Sequence, residues 1–271
     1  MSPAEIRAAL AQGPVRVVGR GSHDLWAFPG LCPSVVTVEG GLVAYSPDDQ
    51  FITVGAGMLM TELRAILAER GQMIPLLEPI RLGGEDFARD GTVGGLLSMA
   101  FPHPAEATIF DWRTWVLGMT IMLPDGRIVK SGSTVVKSVA GFDVFKLMVG
   151  ARGTLGIILE VTLRTMGRRA LPETVQLGPQ TECRWIQRVL PSDFEAHQKA
   201  HVEQLAASDP ATGTLWASEP LPRLPGDWVI CASPEPGFRH RESEPEQWLR
   251  QLKAQLDPEN KLNPGGMGDL L

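Results

Sequence analysis

The chain has 271 residues, 44% of them apolar and 21% charged, enough for one large domain or two modest ones and unlike a coiled coil, a collagen repeat or a disordered chain. Its 29 glycines and 22 prolines exclude a plain helical bundle, because both residues break helices. With 25 Lys and Arg against 31 Asp and Glu, the net charge is −6; without a long basic run, this argues against a nucleic-acid partner.

The start, Met1 to Leu10, is a short Ala-rich stretch carrying Glu5 and Arg7 rather than a basic region followed by an apolar one, so no secretory signal is expected. No apolar run reaches the roughly twenty residues a bilayer span requires. Val15 to Val18 and Val35 to Val38 read as buried strands, closed by Gly19 and by Gly40 with Gly41. Phe51 to Val54 is a further strand, and Leu59, Leu63, Ile66 and Leu67 form one helical stripe ending at Gly71. Val116 to Leu123, the turn Pro124-Asp125-Gly126, and Arg127 to Lys130 predict a hairpin, and Leu155 to Leu163 one more strand. From about Gly167 prolines punctuate the chain, which sets a boundary near Met166 to Leu171. Two helices are predicted beyond it, Ser192 to Leu205, capped by Ser192 and Asp193, and Glu244 to Leu256. Cys32, Cys183 and Cys231 are too few and too far apart for a disulfide framework or a zinc or iron–sulfur site, and suit a reducing cytoplasm.

Three glycine-rich stretches carry the functional signal. Gly19-Arg20-Gly21-Ser22-His23-Asp24 follows a predicted strand, and its N–H groups with the Ser22 hydroxyl suit a phosphate nest, although Asp24 replaces the third glycine of a dinucleotide fingerprint. Gly91-Thr92-Val93-Gly94-Gly95 precedes Leu96 and Leu97, which begin a helix whose N-terminus suits an anion. Gly150-Ala151-Arg152-Gly153-Thr154-Leu155-Gly156 is the third. Singly each reads equally well as a turn; together they favour a large nucleotide cofactor.

Lys137-Ser138-Val139-Ala140-Gly141-Phe142-Asp143, Lys146-Leu147 and Gly153-Thr154-Leu155-Gly156 resemble the K-N-V-A-G-Y-D…[KR]-L…G-T-L-G signature of FAD-binding oxidoreductases of the vanillyl-alcohol-oxidase/PCMH type, nearest to the FAD-binding E subunits of bacterial glycolate oxidases. Thr92-Val93-Gly94-Gly95, Gly19-Arg20-Gly21-Ser22, Arg113 with Val116-Leu117-Gly118, and the ending Asp257-Pro258…Asn263-Pro264-Gly265 resemble further motifs in the same order. The resemblance implies an α+β fold: a PCMH-type FAD-binding domain of two α/β subdomains over residues 1–170, a small reduced cap domain over 171–248, and a C-terminal segment, 249–271, returning to the FAD domain. It implies non-covalent FAD held by Gly19, Arg20, Gly21, Ser22, His23, Thr92, Gly94, Gly95, Arg113, Thr114, Gly153, Thr154, Gly156 and Ile158. Thr114 stands where the family has Asp, and the loop before Arg113 lacks the family's arginines. The implied activity is flavin-dependent oxidation of a small 2-hydroxy acid, with a sister flavoprotein subunit and an iron–sulfur subunit of a glycolate-oxidase-like complex as partners. The implied place is the cytoplasm, peripheral to a membrane only through those partners. The alternative is an FAD-binding or assembly subunit without its own substrate site, since about eighty residues remain for the cap.

Single residues are read conservatively. His23 lies one position late for the covalent flavin linkage of some relatives, and His103 reads as a loop histidine before a proton acceptor. His197 and His201 share one turn of a predicted helix but lack the Glu of H-E-x-x-H, and read as a solvated face. Trp112 and Trp115 suit either core filling or packing on a ring.

Overall fold

The computed structural model describes residues 1–22, 32, 34–78, 81–82, 85–86, 91–101, 103, 111–134, 143–171, 174–180, 183–222, 228–231 and 244–266. The chain opens with helix α1 (Pro3–Gln12), which the Ala-rich reading left without an assignment. Its signal is a capping box: Glu5 N–H donates to Ser2 Oγ, and the Glu5 carboxylate accepts from Ser2 N–H at 2.7 Å. Pro3 sits where no amide hydrogen is needed, and Ile6 and Leu10 share the buried face.

Strands β1 (Val15–Val17) and β2 (Ser34–Val36) pair in parallel. The main sheet joins β3 (Leu42–Ser46), which sequence periodicity missed, to β4 (Phe51–Gly55); helix α2 (Met60–Glu69) follows, burying Met60, Leu63 and Leu67. Three two-residue strands come next, β5 (Gln72–Met73), β6 (Arg81–Leu82) and β7 (Glu85–Asp86), and then helix α3 (Val93–Met99). A single helical turn, Trp112–Trp115, leads into β8 (Val116–Met122), which forms the predicted hairpin with β9 (Ile128–Gly132). Gly126 takes the positive φ of 82° that closes this turn. With β10 (Ile157–Arg164) the sheet order is β3-β4-β10-β8-β9, antiparallel throughout.

A register shift between Ile158 and Glu160 reverses the alternation along β10, so that Ile158, Val161 and Leu163 join α2, α3 and the helical turn Trp112–Trp115 in the principal core, while Ile157 and Leu159 pack with Ile6, Val15 and Leu262 in a second cluster. Trp112 and Trp115 are both core residues, and the Trp112 indole N–H donates to Phe101 O at 3.2 Å. The segment proposed as a boundary still belongs to the first part of the fold, because β11 (Met166–Gly167) pairs with β5.

Beyond it a second antiparallel sheet forms in the order β12-β14-β15-β13-β16: β12 (Gln176–Leu177), β13 (Trp185–Arg188), β14 (Leu205–Asp209), β15 (Thr214–Ala217) and β16 (Trp228–Cys231). Ile186, Ala206, Ala207 and Trp216 of this sheet pack on Met99 and Phe101, at the end of α3. The helix expected over Ser192 to Leu205 runs Pro191–Ala200 instead, with Leu190 at the N-cap position, no side-chain cap bond and Pro191 in the first turn, and a 3-10 turn (Val202–Gln204) follows. Leu205 leaves the helix because pairing with β15 buries it together with Ala206 and Ala207, and tertiary burial overrides a continuous helical pattern. His197 corrects the solvated-face reading as well: it is buried, and its Nδ1 has no hydrogen-bond partner among the described residues.

The last helix, Glu244–Leu256, packs Leu252 and Leu256 on the principal core, and the chain then returns to β1. Val15 N–H donates to Lys261 O at 2.7 Å, and Asn263 N–H to Val15 O at 3.0 Å. Residues 261–263 thus form a parallel bridge along the side of β1 away from β2.

His103 is buried, and its Nε2 lies 2.9 Å from Glu78 O. Loss of hydration is the main cause that lowers its pKa from 6.5 to about 4, outweighing the Glu78 carbonyl and the Asp209 carboxylate. It is therefore a neutral structural imidazole near pH 7. A depressed folded-state pKa gives stability that is complete above 6.5 and lost as pH falls toward 4. The loss is expected to reach roughly 3 kcal/mol by pH 4 and to shrink in His103→Gln, measured by urea unfolding at pH 7, 5.5 and 4.

Candidate functional site

The glycine stretches converge on one cleft, at the meeting of β1, the start of α3, the turn before β10 and the C-terminal return. Ten of the predicted residues line it: Gly19, Arg20, Gly21, Ser22, Thr92, Gly94, Gly95, Gly153, Gly156 and Ile158. Close backbone approach explains the glycines. A Cβ on Gly19 would strike the Thr92 hydroxyl, and one on Gly94 would lie 2.8 Å from the Ala56 Cβ. Arg152 and Gly153 hold the left-handed turn, with φ of 51° and 69°.

Arg113, Thr114 and Thr154 do not line the cleft. The Arg113 guanidinium donates to Val149 O at 3.0 Å and pairs with Asp111 at 3.5 Å. Thr114 donates to the Asp111 carboxylate at 3.3 Å. Thr154 is buried beneath the turn, donating to Ala151 O at 2.6 Å. His23 lies outside the described residues, as does the Lys137–Phe142 part of the signature.

The start of α3 differs from the sequence expectation in its chemistry. Its N–H groups were expected to face an anion, but Val93 donates to Met58 O at 2.9 Å, Gly94 to Ala56 O at 2.8 Å and Gly95 to the Thr92 hydroxyl at 3.2 Å. The N-cap and the neighbouring turn use up the donors of the first turn, so this segment supplies a bare glycine wall. The loop after β1 is different: among the described residues the N–H groups of Gly19, Arg20 and Gly21 are used by no strand ladder or turn hydrogen bond.

Sequence reading missed Arg16, Gly57, Ser98, Arg152, Asn263 and Gly266, which also line the cleft. Arg152 and Asn263 stand inside motifs already recognised and carried a signal; Arg16 and Gly57 acquire their place only when β1 and β4 come together. Arg16, Arg20 and Arg152 give the wall three guanidiniums, and none of the described lining residues is Asp or Glu. Backbone donors that no strand ladder or turn uses among the described residues, together with guanidiniums and side-chain-free walls, suit a dinucleotide pyrophosphate, whose charge they balance and whose bulk they admit.

The fold and cleft define a nucleotide-cofactor domain of mixed α and β structure. Residues 3–132 match the family described as FAD binding domain. The chain is 31% identical over 133 residues to glycolate oxidase subunit GlcE of Escherichia coli, an alignment covering 49% of this chain and 36% of that protein. It is 32% identical over 150 residues to D-lactate dehydrogenase of Anaerostipes hadrus, with 52% and 30% covered. It is 26% identical over 170 residues to glycolate oxidase subunit GlcD of Bacillus subtilis, with 59% and 33% covered. A solved alkyldihydroxyacetonephosphate synthase superposes with a TM-score of 0.48 at 17% identity, covering 73% of this chain and 37% of that one. The match over residues 3–132 fits the PCMH-type FAD-binding oxidoreductases and indicates FAD as the cofactor. The alignments span about a third of the length of these curated relatives.

Proposed function

We propose that the chain is the FAD-binding subunit of a glycolate-oxidase-like complex, taking part in oxidation of a small 2-hydroxy acid and passing electrons to a sister flavoprotein and an iron–sulfur subunit. The observation that carries this reading is the guanidinium-lined glycine cleft within a chain whose relatives include glycolate oxidase subunits and D-lactate dehydrogenases. In this reading Gly19, Arg20, Gly21 and Ser22, with Arg16, hold the pyrophosphate. Gly94, Gly95, Gly153, Gly156 and Ile158 flank the rings. FAD, when bound, supplies the two-electron acceptor for oxidising an alcohol to a carbonyl. The domain division of the reading is an FAD domain over 1–170, a reduced cap over 171–248 and a return segment over 249–271; the separate second sheet supports it. The proposed location is the cytoplasm, at a membrane surface only through the partners. No helix among the described residues is long and apolar enough to cross a membrane.

A second reading, an FAD-binding or assembly subunit that borrows its substrate site, is favoured by one observation. None of the described residues lining the cleft is a carboxylate, imidazole, amine or phenol able to accept the hydroxyl proton near neutral pH. Cys32 is the one thiol there, and loss of hydration raises its pKa.

Titration of the purified chain with FAD is expected to quench flavin fluorescence and raise the melting midpoint. All yellow colour is expected in the supernatant after acid precipitation, as for non-covalent FAD. A flat titration would remove the FAD reading. Anaerobic glycolate then separates the two forms: bleaching of the flavin band in the isolated chain supports a complete site here, and bleaching only after the partner subunits are added supports the borrowed one.

A further inference from the structure

We propose that the C-terminal return segment is a clasp for the cofactor cleft, in which Asn263 is a positioning residue setting the spacing between β1 and the Arg152–Gly153 turn. Its side-chain amide reaches both: Oδ1 accepts from Val17 N–H at 2.6 Å, and Nδ2 donates to Arg152 O at 2.7 Å. Val17, Arg152 and Gly153 all line the cleft, as does Asn263 itself, so one side chain spans two walls that are far apart in sequence.

The geometry demands this residue type. One end must accept and the other donate, which an amide does and a carboxylate or an aliphatic chain does not. Asn263 holds a φ of 42°, a left-handed conformation that asparagine tolerates better than most residues. The fit is close on the far side too, because a Cβ on Gly153 would lie 2.6 Å from Asn263 Nδ2.

A buried ion pair anchors the clasp. Lys253 Nζ donates to Asp257 Oδ2 at 2.6 Å, to Thr154 O at 2.7 Å and to Leu262 O at 3.1 Å. The Asp257 carboxylate in turn accepts from Lys261 N–H at 2.9 Å and Leu262 N–H at 2.8 Å. The last helix is thereby tied to Thr154, beside the turn, and to Leu262, beside Asn263. Arg152 adds a strand of the same tether, donating to Gly266 O at 3.4 Å.

The clasp rests on the FAD reading, and its test keeps the two apart. FAD affinity, melting midpoint without FAD, and hydrogen exchange at the Val17 amide are measured on the full chain. The variants are Asn263→Ala and Asn263→Asp, with Arg7→Ala as control, which removes the 3.0 Å bond to Gly126 O at the β8–β9 turn. Both Asn263 variants are expected to bind FAD about tenfold or more weakly, and Asn263→Ala, which removes the acceptor, to exchange the Val17 amide about tenfold or more faster. Arg7→Ala should lower the melting midpoint while keeping wild-type affinity. An Asn263→Ala affinity within about twofold of wild type, or an equal loss in Arg7→Ala, overturns the clasp. If Asn263→Ala does not fold, Asn263→Asp, which keeps the acceptor for Val17 but loses the donor to Arg152 O, decides by FAD affinity on the same limit of about twofold. Wild type also decides without any variant: FAD should slow exchange at Val17 and Gly153, and unchanged exchange on saturation overturns the proposal. If wild type binds no FAD, the FAD reading fails, and the clasp stands or falls on faster Val17 exchange in Asn263→Ala alone.

Discussion

Replacing Asp257 with alanine is expected to cost about 3–5 kcal/mol of unfolding free energy, the largest effect of any single change considered. The substitution leaves the Lys253 ammonium buried without its counter-charge and removes the acceptor of the Lys261 and Leu262 N–H groups. Burial outweighs the attraction of Asp257 and holds the Lys253 pKa below its usual value, so the ammonium already bears a desolvation cost in the intact pair. Lys253→Met should cost less, because the carboxylate it leaves behind keeps two backbone donors. The double replacement should recover only part of the loss, since Thr154 O and Leu262 O lose a donor and two N–H groups lose an acceptor. Urea midpoints at unchanged m-value measure all three variants. Equal midpoints for wild type and Asp257→Ala would contradict the buried geometry.

Gly57→Ala is the second large effect, and it falls on the cleft. The nearest atoms to an added Cβ are all backbone, Val38 O, Glu39 C at 2.8 Å and Gly40 N at 2.9 Å, so the connection between β2 and β3 must move away from the chain following β4. Gly57 N–H also donates to Glu39 O at 3.1 Å, a bond that this movement stretches. A loss of about 1–3 kcal/mol is expected from overpacking. Because Gly57 and Val38 both line the cleft, FAD affinity should fall about tenfold or more as the wall shifts. Gly167→Ala is the control: nothing lies within 4 Å of its added Cβ, so it should be neutral or slightly stabilising. Thermal melts with and without FAD distinguish the two, and unchanged affinity in Gly57→Ala would show that this wall does not touch the cofactor.

The strands β1, β4, β8 and β10 were legible because each is a compact β-branched run closed by glycine or proline, a local signal. Three glycine stretches were legible for the same reason, since the backbone approach they permit is a property of the residue itself. The cap of α1 was equally local, in Ser2 and Glu5, but its weak apolar stripe hid it. What tertiary structure decided is which local possibilities survive. Leu205 fits a helix by pattern and joins a strand because β15 buries it. His197 occupies a helix rich in polar residues, yet it is buried. The donors at the start of α3 suit an anion by motif, yet Met58 O, Ala56 O and the Thr92 hydroxyl consume them. Arg113 belongs to a matched motif and turns to Val149 O instead of the cleft.

The sequence by itself determined the resemblance to FAD-binding oxidoreductases and the cofactor class, because glycine spacing and turn chemistry are written locally. Only the tertiary structure decided which atoms of those motifs face the cleft, and that Asn263 bridges its walls. Hydrogen-bond partners such as Val17 N–H and Arg152 O are distant in the chain, and burial lets each donor serve whichever acceptor the fold brings near.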